Sequence, residues 1–159
     1  MTAVLIHSQA RSTVKRVVKR DNARRLGGGI SKTCARNADL YALTEGEEIT
    51  IAPGETKLIH TGIATEIPEG YGGFIYARSG LASKKGLAPA NKVGVVDADY
   101  RGEIMVALHN HGTVSQTIGD KERIAQFVIA PFIRAEYEEA DELSDTVRGE
   151  GGFGSTGRK

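Results

Sequence analysis

The sequence predicts an all-β domain, a jelly-roll-like barrel or sandwich with one short helix and a flexible, glycine-rich C-terminal tail. Three observations carry that expectation. Short runs alternate polar and apolar residues, the period of a half-buried strand. Twenty glycines and four prolines in 159 residues punctuate those runs with turns. Only one stretch, residues 79–86, has the character of a short helix. Many short strands separated by Gly and Pro turns fit a sandwich or barrel.

The elements follow in order. Residues 1–35 form a basic arm that includes a first strand. Residues 36–134 form the β domain. Within it, Glu48-Ile49-Thr50-Ile51 alternates and ends at the turn Pro53-Gly54. Lys57 to Ile67 reads as a long strand closed by Pro68-Glu69-Gly70, and Gly73 to Ala77 as a short one. Val93–Val96 and Glu103–Leu108 read as a hairpin whose loop is Asp97-Ala98-Asp99-Tyr100-Arg101-Gly102. Arg123 to Ile133 is the last long strand. Residues 135–159 form an acidic exposed linker and a glycine-rich lid. No internal repeat is present.

Composition narrows the class. The length suits one domain with a proper core. No apolar run approaches the ~18 residues of a membrane span, so no membrane partner is expected. The single cysteine, Cys34, excludes an internal disulfide and points to a reducing compartment, hence a cytoplasmic location. Residues 1–36 carry nine Lys and Arg against one acid, a balance of +8, while the remainder carries twelve against nineteen, a balance of −7. Such an arm suits an edge strand blunted by cations, or organelle import. Stable nucleic-acid binding is not expected.

Three segments carry chemistry. Asp97 and Asp99 stand two apart, a spacing that turns both carboxylates to one side of a strand. That fits a general base acting on water, and it fits an ordinary Asp/Gly turn equally well. Arg78-Ser79-Gly80 stands at a strand-to-helix junction, as an anion cradle or as a helix N-capped by Ser79. The tail from Arg148 to Gly157 is a phosphate-loop composition without a Walker P-loop, because Ser155 stands where the lysine belongs. His109-Asn110-His111 lacks further ligands at metal spacing and reads as a polar turn between strands. His7 and His60 have no visible partners.

Five ordered motifs across residues 36–157 together resemble the trimeric dUTP diphosphatase (dUTPase) family. They are Asn37-Ala38-Asp39-Leu40-Tyr41-Ala42, Ala77 to Ala82, Asn91 to Glu103, Glu122-Arg123-Ile124-Ala125-Gln126, and Arg148 to Gly157. The resemblance implies a jelly-roll subunit, a homotrimer with shared sites, and hydrolysis of dUTP to dUMP and pyrophosphate with Mg²⁺ on the triphosphate. That activity lowers dUTP, limits uracil in DNA and supplies dUMP for thymidylate synthesis. By motif match, Asp97 is the base that activates water for attack on the α-phosphorus. Asn91 and the backbone of Gly94, Val95 and Val96 read uracil. Tyr100 packs under the deoxyribose, and Met105 lines that pocket. Arg78, Ser79, Gly80 and Gln126 hold phosphates, with Asp39 supporting the site by pairing with a motif arginine. From the tail, Arg148 clamps the phosphate chain, Phe153 stacks on uracil, and Gly154, Ser155 and Thr156 wrap the terminal phosphates. The metal is held by phosphate oxygens and water, without a dedicated protein ligand.

Two departures from the family pattern are visible. Asn37 and Lys121 stand where glycine is usual. Asn tolerates left-handed backbone best among other residues, whereas Lys at positive φ costs about 1 kcal/mol or more, unless Gly119 shifts the turn. A dCTP deaminase or bifunctional enzyme, similar in fold, is the nearest alternative. That family uses a glutamate where Asp97 stands, which is one methylene longer. A nucleotide-dependent regulatory binding trimer is the alternative from another class.

Overall fold

The computed structural model describes residues 16–19, 38–133, 135–139, 142 and 144–151. Cys34, His7, Asn37, Phe153, Gly154, Ser155 and Thr156 lie outside the described residues. Among the described residues ten strands are formed: β1 (Arg16–Lys19), β2 (Ala38–Tyr41), β3 (Ile49–Ile51), β4 (Thr56–Glu66), β5 (Tyr71–Ala77), β6 (Leu87–Pro89), β7 (Gly94–Val96), β8 (Ile104–Asn110), β9 (Gln116–Ile118) and β10 (Arg123–Pro131). The helix α1 spans Ser79–Lys85. Among the described residues no helix is long and apolar enough to cross a membrane.

Two four-stranded sheets and a ribbon make up the domain. The first sheet runs β1-β4-β8-β6, the second β2-β10-β5-β7, and β3 pairs with β9. Among the described residues no sheet closes into a barrel, so the sandwich half of the expected architecture is the one formed. β8 alternates strictly, with Ile104, Val106, Leu108 and Asn110 buried and Met105, Ala107 and His109 between them only partly so. From the second sheet Leu40, Ile75, Val96, Ala125 and Phe127 enter the same core. Burial of each Leu, Ile or Phe contributes about 1.5–3 kcal/mol. Gly73 is required there, because a Cβ would stand 2.6 Å from the Phe127 ring.

Helix α1 carries the chain from β5 in one sheet to β6 in the other, anchored by the buried Leu81. Gly86 ends it at φ 66, the left-handed C-cap that glycine adopts without strain. Lys84 and Lys85 in the last turn suit the negative end of the helix dipole. The N-cap position belongs to Arg78, without a side-chain cap bond, so Ser79 is the first helical residue rather than the cap.

Two further expectations are corrected. The segments Val93–Val96 and Glu103–Leu108 do not form a hairpin. β7 pairs with β5, and β8 pairs with β4 and β6, so residues 97–103 cross from one sheet to the other. Strands adjacent in sequence usually neighbour one another, which is why the hairpin was the natural expectation. Nor is His109-Asn110-His111 a turn, since its first two residues end β8. Asn110 is fully buried and fully satisfied. Its amide donates to the carbonyls of Ile51 (2.9 Å) and Val114 (2.8 Å), and its Oδ1 accepts the Gly112 N–H at 2.9 Å.

Lys121 occupies the turn between β9 and β10 at φ 61, while Gly119 is not among the positive-φ glycines. The turn is therefore not shifted, and the lysine carries the left-handed backbone itself. It is held by Lys121 N–H to the Ala42 carbonyl (3.0 Å) and Ala42 N–H to the Glu122 carbonyl (2.8 Å). The exposed Lys121–Asp120 pair at 3.6 Å offsets little of the strain. Lys121→Gly is expected to raise the unfolding free energy by about 1 kcal/mol. Chemical denaturation checks this: an unchanged or lower midpoint contradicts the strain.

Candidate functional site

Many of the residues expected to act on substrate fall in one of two clefts. The first, about 250 Å³, lies along β7 and the crossing loop. It gathers Asn91, Gly94, Val95, Val96, Asp97, Tyr100 and Met105, all singled out from sequence. Leu58, Ile75, Glu103 and Ile104 complete its lining, and these were not foreseen. Asp99 is not among the lining residues, so the two carboxylates do not share the cleft.

β7 is the last strand of its sheet, paired on one side by Ile75↔Gly94, Phe74↔Val95 and Gly73↔Val96. Among the described residues its outer backbone edge is unpaired, a row of donors and acceptors open to a ligand. Gly94 lets that edge sit close to β5: a Cβ would stand 3.1 Å from Ile75 Cβ and 3.4 Å from the Asn91 amide nitrogen. Before β7, Lys92 at φ 64 turns the chain, with Val93 N–H donating to the Asn91 carbonyl at 2.7 Å.

After β7 the loop folds on itself. Tyr100 N–H donates to the Asp97 carbonyl at 3.2 Å. The Tyr100 ring lies over Gly102, where an added Cβ would stand 2.5 Å from Cζ, and its hydroxyl donates to the Glu103 carbonyl at 2.9 Å. Arg101 Nη1 donates to the carbonyls of Ala98 (2.6 Å) and Tyr100 (3.0 Å), pinning the loop from outside. The Asp97 side chain is exposed at the mouth.

Glu103 has an anchoring role that only the fold displays. β4 bulges between His60 and Ile63, and Gly62 there has φ 68. The bulge frees two N–H groups, and Glu103 Oε1 accepts both, from Gly62 at 2.7 Å and Thr61 at 3.2 Å. Its Oε2 lies 3.0 Å from His60 Nδ1, so His60 does have a partner. Burial pushes the Glu103 carboxyl up. The His60 hydrogen bond, the Gly62 N–H, the His60 charge and the Thr61 N–H together outweigh that and hold it below the usual value of 4.5. A depressed carboxylate stabilises the fold above its unfolded pKa, and that stability is lost as pH falls through the folded one. Stability is therefore expected to drop as pH falls below about 4.5, and to drop less steeply in Glu103→Gln. Parallel pH–stability curves for the two proteins would refute the assignment.

The second cleft, about 310 Å³, lies beside α1 and the start of β10. Arg78, Lys84, Lys85 and Arg123 give it a strongly cationic lining with Glu122 as its one acid, alongside Gly80 and Leu81. Asp39 on β2 organises it, accepting from Arg78 Nε at 2.9 Å and from Arg123 Nη1 at 3.4 Å. Lys85 pairs with Glu122 at 2.8 Å. Lys84 has no salt bridge among the described residues. A Cβ on Gly80 would meet nothing within 4 Å, so the cleft is open above the helix start.

Ser79 and Gln126 line neither cleft. Gln126 lies in register between Asp39 and Tyr76 on the face they share. Arg148 also lies outside both clefts, in a local turn where its Nε donates to the Gly151 carbonyl at 2.6 Å. The two clefts share no residue. β2 and β7 form opposite edges of one sheet, three strand spacings or about 14 Å apart. Among the described residues no three His, Cys, Asp or Glu side chains gather as a metal cage.

The family profile described as dUTPase matches residues 36–157. The deoxyuridine 5'-triphosphate nucleotidohydrolase of Desulfitobacterium hafniense (strain DSM 10664 / DCB-2) is 53% identical over 124 residues, covering 77% of this chain and 82% of that protein. The enzyme of the same name from Nautilia profundicola is 53% identical, covering 78% and 85%. Among solved structures, the Staphylococcus bacteriophage 80alpha dUTPase with dUPNHPP superposes with a TM-score of 0.76. It is 29% identical and covers 89% of this chain and 96% of that one.

Proposed function

The chain belongs to the dUTPase family and hydrolyses dUTP; we propose that it does so by Asp97-assisted attack of water on the α-phosphorus, in a homotrimer whose subunits share each site. The observation that supports this best is the meeting of an exposed carboxylate, an unpaired strand edge and a tyrosine in one cleft.

Uracil presents a carbonyl–N–H–carbonyl edge. The free backbone of β7 offers the complementary donors and acceptors, with the Asn91 amide beside it. Cytosine would set its exocyclic amine against a donor and lose a buried hydrogen bond. Tyr100 under the sugar leaves no room for a 2′-hydroxyl, and Met105 closes the pocket. Asp97 takes a proton from water as the water oxygen bonds to the α-phosphorus. The bond to the bridging oxygen breaks, leaving dUMP and pyrophosphate, and the proton passes to solvent. Such general-base help is worth about 10²–10⁴-fold.

Arg78 and the cationic second cleft suit the phosphate chain, with Ser79, Gly80 and Gln126 around it and Asp39 fixing the arginine. The two clefts have no lining residue in common, which favours a base held by one subunit and phosphates held by its neighbour. The tail then closes over both: Arg148 on the phosphates, Phe153 on uracil, and Gly154, Ser155 and Thr156 on the terminal phosphates. The residues present fit Mg²⁺ as a companion of the triphosphate, since oxygens of phosphate and water complete its preferred shell. When bound, it neutralises charge on the leaving pyrophosphate. This activity would lower dUTP, limiting uracil in DNA, and supply dUMP for thymidylate synthesis in the cytoplasm.

The purified protein incubated with dUTP, dCTP, dTTP and UTP in the presence of Mg²⁺, with pyrophosphate and ammonia followed, tests this reading. Pyrophosphate from dUTP alone is expected. Ammonia from dCTP would indicate a deaminase, and no product from any of the four would leave a nucleotide-binding trimer.

A further inference from the structure

From the geometry of the β4 bulge we infer that Glu103 is a positioning residue for sugar discrimination, acting through Tyr100 without touching the reacting atoms. The inference rests on the reading of the first cleft as the deoxyuridine pocket. A chain of contacts links the two residues. Glu103 lines the cleft together with Ile104 and Met105. Its main-chain carbonyl receives the Tyr100 hydroxyl at 2.9 Å. Its side chain is pegged at three points to β4, by the Thr61 and Gly62 N–H groups and by His60. A second tie, from Thr61 Oγ1 to the Ile104 carbonyl at 2.5 Å, lies one residue further on.

The bulge thus holds the backbone at residues 103–104, and that backbone holds the tyrosine ring. The Glu103 side chain is only 11% exposed, whereas that of His60 is 59% exposed. With the peg removed, two bulge N–H groups lose their acceptor and the Glu103 carbonyl is free to drift. The Tyr100 ring then no longer sits at a fixed height under the sugar. A displacement of this kind relaxes selection against a 2′-hydroxyl and weakens binding, while Asp97, at the other end of the loop, keeps its chemistry.

The test measures KM and kcat for dUTP and UTP in the wild type, Glu103→Ala, Glu103→Gln and His60→Ala. Glu103→Ala is expected to raise KM for dUTP about tenfold, with kcat within about threefold, and to narrow the dUTP-over-UTP ratio of kcat/KM by about tenfold. Glu103→Gln retains an acceptor for the bulge N–H groups and a polar group facing His60, so it recovers most of that ratio. His60→Ala, at an exposed position, shifts the ratio the same way by about threefold, and it decides the matter if Glu103→Ala does not fold. A merely structural role lowers the active fraction, and so kcat, with KM and the ratio unmoved; that result overturns the inference. A wild type without selective dUTP hydrolysis would instead overturn the reading of the pocket.

Discussion

Asp97→Asn is expected to bind dUTP as the wild type does and to turn it over at least about 10²-fold more slowly. The amide is nearly the same size as the carboxylate but cannot accept a proton from attacking water. The side chain is exposed at the mouth of the first cleft and makes no hydrogen bond among the described residues, so the substitution removes chemistry and leaves packing alone. The turn it begins is held by its main-chain carbonyl, which accepts the Tyr100 N–H at 3.2 Å and is unaffected by the change. Calorimetric titration with a non-hydrolysable dUTP analogue, beside a pyrophosphate-release assay, separates the two effects. Near-normal turnover in this variant would remove Asp97 from its role.

Truncation after Val147 is expected to leave a folded assembly with activity reduced about 10- to 100-fold. The fold argues for the first half. The hydrophobic core ends with Phe127, with Ile129 packed against it, and residues 135–139 and 144–150 are exposed without strand or helix. Among the described residues, none of the core lies in the removed segment. The second half follows from losing an aromatic stack on the base, worth about 1–3 kcal/mol, together with Arg148 and the glycine-rich wrap. Each 1.4 kcal/mol is about tenfold. An unfolded product would contradict the lid; unchanged activity would leave the tail with no part in turnover.

Legibility in the sequence followed periodicity and length. β4, β5, β8 and β10 run seven to eleven residues with alternating or Gly-bounded patterns, and all were anticipated near their observed bounds. β6 and β9 have three residues each and were not anticipated, whereas β3 and β7, equally short, were. The bulge at Thr61–Gly62 was not anticipated, because Lys57 to Ile67 reads as one uninterrupted strand; Gly62 within it is the one residue that signals a bulge. The cleft residues of β7 and its loop were legible through the resemblance to the dUTPase motifs, with seven of them within fifteen positions, Asn91 to Met105. What joined them to the rest was not. The Glu103–His60 contact spans 43 residues, and the Asp39–Arg123 contact 84. Such pairings depend on which strands become neighbours, and the crossing of residues 97–103 between sheets decided that. Lys121 is a different case: the strain was foreseen as a condition, and the backbone at φ 61 meets it.

The central claim is that water, activated by Asp97, attacks the α-phosphorus of dUTP. Hydrolysis in water enriched in heavy oxygen, with mass analysis of both products, tests it most directly. The account predicts one labelled oxygen in dUMP and none in pyrophosphate. Label in pyrophosphate instead would place the attack on the β-phosphorus and contradict the account.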